Sequence, residues 1–73
     1  MTKEDFIFLI ETKKEYEFSY KDKNYNITYG EDKNGSYIAL GERYMQQKYY
    51  SLGELLNQAK IENHYFKEMI EIL

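Results

Sequence analysis

Apolar side chains recur every three or four residues over the first dozen positions, every second residue from Tyr16, and every three or four again after Ser51. That change of period predicts helix, then sheet, then helix. In the opening segment Phe6, Leu9, Ile10 and the stem of Lys13 fall at i, i+3, i+4 and i+7, while Ile7 and Phe8 widen the stripe. Thr2 stands three residues before Asp5, where its hydroxyl can cap the first turn, and two acidic side chains meet the positive end of the helix dipole. A helix from Lys3 to about Lys13 is expected, in preference to a strand over the β-forming run "FIFLI".

From Tyr16 the alternation of Tyr16, Phe18 and Tyr20 with Glu17 and Ser19 is that of a half-buried strand. "KDKN" supplies turn formers, and Tyr25, Ile27 and Tyr29 resume the alternation, so the two runs make a hairpin. "GEDKNG" closes the second strand and opens a third, "SYIAL", which completes a three-stranded antiparallel meander. With the hairpin in register, Tyr16, Phe18, Tyr20, Tyr25, Ile27 and Tyr29 share one face, the apolar one that helices must cover. Glu17, Ser19, Asn26 and Thr28 make the other face polar.

"GERYMQQKYY" reads as a loop whose end, Lys48–Tyr50, either stays irregular or pairs as a short fourth strand. Ser51 and Glu54 have the spacing of a capping box, with Tyr50 and Leu55 placed as a hydrophobic staple, so a helix begins at Leu52. Leu52, Leu55, Leu56 and Ala59 form its inner face; Phe66, Met69, Ile70 and Leu73 repeat the spacing further on. Between the two sets the stripe turns polar at "IENH", and a break near Glu62–Asn63 is favoured over one continuous helix to Leu73. Residues 1–73 are thus read as a single α+β domain: helix, meander, and a helical C-terminal segment on one sheet face.

Composition narrows the functions that fit. A chain of 73 residues has little room for a deep enzyme pocket, and without cysteine its nine Tyr and four Phe must hold the core unaided. The longest apolar run, Phe6–Ile10, is far too short to span a bilayer and follows an acidic "KED", so neither secretion nor a membrane role is expected and the protein is placed in the cytoplasm. A net charge of −3 arises by local cancellation of mixed charges, without the basic stripe that nucleic-acid backbones require or the dense negative charge of a phosphate mimic. Nine lysines to one arginine, with abundant Tyr, Asn and Ile, suggest an AT-rich coding source, and hence a low-GC bacterium or its phage.

No arrangement for catalysis emerges. His64 is the single histidine; Glu68 four residues on could join it on a helix, but two ligands fall short of a zinc site, and an exposed helical position is the plainer reading. The thirteen acidic residues sit beside lysines, in turns or on the wet face, which suits no acid–base pair, and no glycine-rich phosphate loop occurs. Neither an enzyme, a metal nor a cofactor is therefore expected. What remains is a contact surface on the third strand and the loop after it, comprising Tyr37, Ala39, Tyr44, Met45 and Tyr49, of the composition that interfaces favour. The third strand would offer an open edge to a partner.

The order of a leading helix, "EFSYKDKNYNITY", "GSYIAL" and "YYSLGELLNQAKIENHYFKEMIEIL" resembles a type of short uncharacterised protein from low-GC bacteria. The resemblance covers nearly the whole chain and implies a small α+β domain, with no function or site residues attached. The functional expectation is a protein–protein interaction module, an adaptor or inhibitor able to self-associate. The alternative from another class is a single-stranded nucleic-acid-binding module that stacks bases on the sheet tyrosines.

Overall fold

A computed structural model describes residues 1–73. The first helix, α1, spans Lys3–Glu11, and Thr2 caps it by accepting the Asp5 N–H at 3.1 Å. Its last turn closes where Lys13 takes a left-handed φ of 54°. Phe6 and Ile10 are buried and Leu9 packs partly against them, but Phe8 is 60% exposed. The apolar stripe of α1 is therefore narrower than the sequence suggests.

Four strands follow: β1 (Tyr16–Tyr20), β2 (Lys23–Asp32), β3 (Gly35–Glu42) and β4 (Gln47–Tyr49), paired antiparallel in chain order. Lys21 and Asp22, both with positive φ, form a two-residue turn whose twist matches that of the flanking strands. The register sets Tyr16 opposite Ile27 and Phe18 opposite Tyr25, then carries Ile27 onto Leu40 and Tyr29 onto Ile38. Every aromatic of the first hairpin thus lies on the face expected of it, with Tyr25 and Ile27 buried. The fourth strand forms one residue earlier than the segment Lys48–Tyr50, and pairs Tyr49 with Ile38.

The C-terminal third departs further from its pattern. Ser51 accepts the Glu54 N–H at 3.0 Å and starts α2, Leu52–Gln58, but the Glu54 carboxylate makes no return bond. Tyr50 turns away from Leu55 and bonds Asp32 on the opposite side of the sheet, so no staple forms. The chain then breaks at the expected place, Glu62–Asn63, as a hairpin rather than a helix junction: β5 (Lys60–Ile61) pairs with β6 (His64–Tyr65) across two left-handed residues. Two 3₁₀ turns, Phe66–Glu68 and Ile70–Ile72, complete the chain in place of a second α-helix. This hairpin buries Ile61, the residue that falls off the helical stripe, and the Phe66 N–H reaches the Ala59 carbonyl at 2.9 Å to close it.

One layer of apolar side chains joins these parts. Phe6, Ile27, Leu55 and Phe66 are its largest fully buried members. Phe66 touches the rings of Phe6 and Phe18 at centroid distances of 5.3 and 5.8 Å, so the last segment bridges the first helix and the first strand. No helix is long and apolar enough to cross a membrane.

Tyr29 ties α1 to the sheet: its hydroxyl donates to the Lys14 carbonyl at 2.8 Å, just beyond the helix end. Burial, reinforced by Glu15, pushes its pKa from 10.0 up to about 12. A raised phenol pKa means that the folded chain holds its proton more tightly than the unfolded chain, so this contribution is complete below pH 10 and is lost as pH rises towards 12. Burial also raises Tyr25 and Tyr49, and paired carboxylates raise Lys23 and Lys48, all with the same sign. Urea midpoints measured from pH 8 to 12 are expected to stay level and then fall above about pH 10, with a shallower fall in Tyr29→Phe. An identical slope in that variant would remove Tyr29 from the alkaline transition.

Candidate functional site

The connection between β3 and β4 carries the two most exposed large apolar side chains of the protein. Met45 N–H donates to the Glu42 carbonyl at 2.8 Å, closing a turn in which Tyr44 has a φ of 69°. Gly41, with a φ of 149°, lets the returning backbone lie against the strand: a Cβ there would stand 2.9 Å from the Met45 carbonyl oxygen and 3.0 Å from the Gln46 Cα. Gln46 then folds inward over the outer sheet face, where its amide donates to the Asn26 carbonyl at 3.0 Å and its carbonyl accepts from the Thr28 hydroxyl at 3.2 Å. The turn is pinned at both ends, and Arg43, Tyr44 and Met45 stand out from it. Tyr44 is 89% exposed and Met45 75%, with the Arg43 guanidinium 5.1 Å from the centre of the Tyr44 ring.

Beside this tip runs an open cleft of about 450 Å³ between the sheet and the β5–β6 hairpin. Tyr25, Leu40, Tyr49 and Ile61 supply its apolar lining, and Met45 stands at its mouth. Its rim is charged and self-neutralising: Lys23 lies 3.3 Å from Glu62 and 3.8 Å from Glu42. The hydrogen bond and charge of Glu62, with that of Glu42, hold the Lys23 ammonium above its usual range. Burial raises the Tyr25 phenol, with Glu62 and Glu42 adding to the effect. A cleft of this kind can hold a side chain with an apolar stem and a polar head.

The outer sheet face carries a second cluster, with a structural task. Tyr37 lies across Gly30, filling the space a side chain there would need, and meets Tyr50 edge-on at 6.2 Å. Lys48 sits 4.5 Å over the Tyr37 ring and 3.0 Å from Asp32, which also accepts from the Tyr50 hydroxyl at 2.9 Å and the Asn34 N–H at 2.8 Å. The Lys48 hydrogen bond, foremost among these, holds the Asp32 carboxyl below its usual range. Together they fasten the short β4 to the β2–β3 hairpin.

The five residues expected to form one contact surface are consequently divided. Tyr49 is in the core because its partner Ile38 faces the core, and Ala39 is buried in the row between Thr28 and Lys48. Tyr37 is half-buried and committed to Gly30, leaving Tyr44 and Met45 free at the tip. The third strand is not an edge either, since β4 covers Ile38–Leu40. His64 is exposed on β6 rather than on a helix, so the four-residue spacing to Glu68 does not bring the two together. No three His, Cys, Asp or Glu side chains gather in a metal-holding group. Arg43 and the Lys23–Glu42–Glu62 rim were not singled out by their sequence; the three charges of the rim meet only through long-range pairing of two hairpins. Compared with protein-family models, curated proteins and solved structures, the chain finds no match in any of the three.

Proposed function

We propose that the protein is a non-catalytic interaction module, a small cytoplasmic adaptor or inhibitor, that grips a partner protein with the Arg43–Met45 tip and receives one of its side chains in the adjoining cleft. The observation that carries this reading is Tyr44, a bulky residue in a left-handed conformation with its ring in solvent. Asn or Gly would hold that turn with less backbone strain and less exposed apolar area, so the fold alone gives no reason for tyrosine. Tyr, Met and Arg are also the side chains that interfaces concentrate. The nucleic-acid alternative has less support, because the tyrosines it would need bare, with Phe18, face the covered side of the sheet.

A photo-crosslinking side chain at position 44 should capture a partner in cells that the same group at Lys33, on the opposite turn, does not. With that partner in hand, Tyr44→Asn is expected to weaken binding at least about tenfold while leaving the fold as stable or up to about 1 kcal/mol more so. Unchanged affinity in the variant, measured calorimetrically, would reject the tip as the contact site.

A further inference from the structure

The sheet has two edges, and they are protected unequally. β4 is three residues long with Lys48 at its centre, and that lysine is tied back to Asp32, so this edge is short and charged. β1 runs for five residues with unbroken one-to-one register, no proline and a single charge, Glu17. Proteins ordinarily blunt an edge of that length with lysine, proline or a bulge.

The turn fixes which backbone groups of β1 are unused. A two-residue hairpin closes on a hydrogen-bonded pair, here Tyr20 with Lys23, and such pairs alternate along the ladder through Phe18 with Tyr25 to Tyr16 with Ile27. Glu17 and Ser19 therefore direct their N–H and C=O groups outward. We propose that this edge is built to receive the same edge of a second copy of this chain, antiparallel about a two-fold axis at Phe18, joining two four-stranded sheets into one of eight.

Charge and shape favour that occupant and that register. A two-fold at Phe18 sets Glu17 opposite Ser19 of the second copy, and the reverse, giving four main-chain hydrogen bonds. On the wet face Glu15 comes beside Lys21 of the second copy, and Lys14 and Asp22 are brought towards each other beyond it; all four are exposed. On the core face Tyr16 meets Tyr20 and Phe18 meets Phe18, and these rings, each only partly buried in one copy, complete their cover. Centring the axis on Glu17 instead would oppose two glutamates, and centring it on Ser19 would leave three strand residues paired instead of five.

Ser19 provides the test, because the only side-chain bond it makes is an exposed one to the Asn24 carbonyl oxygen. Ser19→Lys would face Glu17 of the second copy and tighten the dimer; Ser19→Glu would set like charges opposite each other twice. Sedimentation equilibrium from micromolar to millimolar protein at low salt should place the two dissociation constants on opposite sides of wild type, about tenfold or more apart. The Glu17 and Ser19 amide protons should gain protection from exchange as concentration rises. A protein monomeric throughout the range, two variants shifted in the same direction, or association that leaves those two amides unprotected would each overturn the proposal.

Discussion

Phe66→Ala should leave the protein largely unfolded at room temperature. The Phe66 ring is fully buried and in contact with Phe6 and Phe18, so the variant loses a side chain that touches both the first helix and the first strand. Truncating a buried phenylalanine costs about 3–5 kcal/mol, and a single core in a chain of this size supplies roughly that much net stability. Neighbours cannot readily collapse into the gap, because Phe6 is held on a capped helix and Phe18 in a ladder. Circular dichroism is the check: loss of a cooperative melt is expected, and a midpoint within a few degrees of wild type would mean that the C-terminal segment is not part of the core.

Gly41→Ala is the second large effect, and it acts through backbone. The residue sits at a φ of 149°, where side chains are strained, and the new Cβ would meet main-chain atoms of Met45 and Gln46 that have no flexible end to move aside. Strain and overlap together are expected to cost about 2–4 kcal/mol, by displacing the returning chain and with it β4. The urea midpoint should fall accordingly, and the Gln46 amide resonances should shift with those of Asn26 and Thr28. Near-wild-type stability with unmoved Gln46 would show that the connection has room the geometry denies it.

These two sites also mark the limit of what the pattern of residues can convey. The hairpin of β1 and β2 is legible because five and more residues of strict alternation leave only one face for Tyr25 and Ile27, and Thr2 and Ser51 announce their helices through an oxygen three residues ahead of an orphan N–H. A strand of two or three residues has no period to detect. Tyr49 and Tyr50 look equivalent along the chain, and only the pairing of Tyr49 with Ile38 sends one into the core and the other to Asp32. The β5–β6 turn is hidden in the same way: Asn63 is a natural left-handed residue, but Glu62 beside it is not, and the hairpin is held by Ile61 and Phe66 reaching the core. Of the candidate site, the exposed Tyr44 and Met45 could be read locally, whereas the cleft depends on contacts between separate segments, such as that of Lys23 with Glu62.

The pairing of every strand of the meander with its chain neighbour has a kinetic consequence. Each ladder closes a short loop, and two of the three connections within the sheet are two-residue turns, so the sheet can assemble from contacts near in sequence with little loop entropy to overcome. The contact of Phe6 with Phe66 is of the opposite kind, since it must bring together residues sixty positions apart. Such a chain is disposed to form its strands early and to gain its stability late, when the two end segments dock over the same aromatic wall. Until that moment the wall is open to any other apolar surface, which makes the speed of docking, rather than the strength of the finished core, the quantity that guards this protein against misassembly.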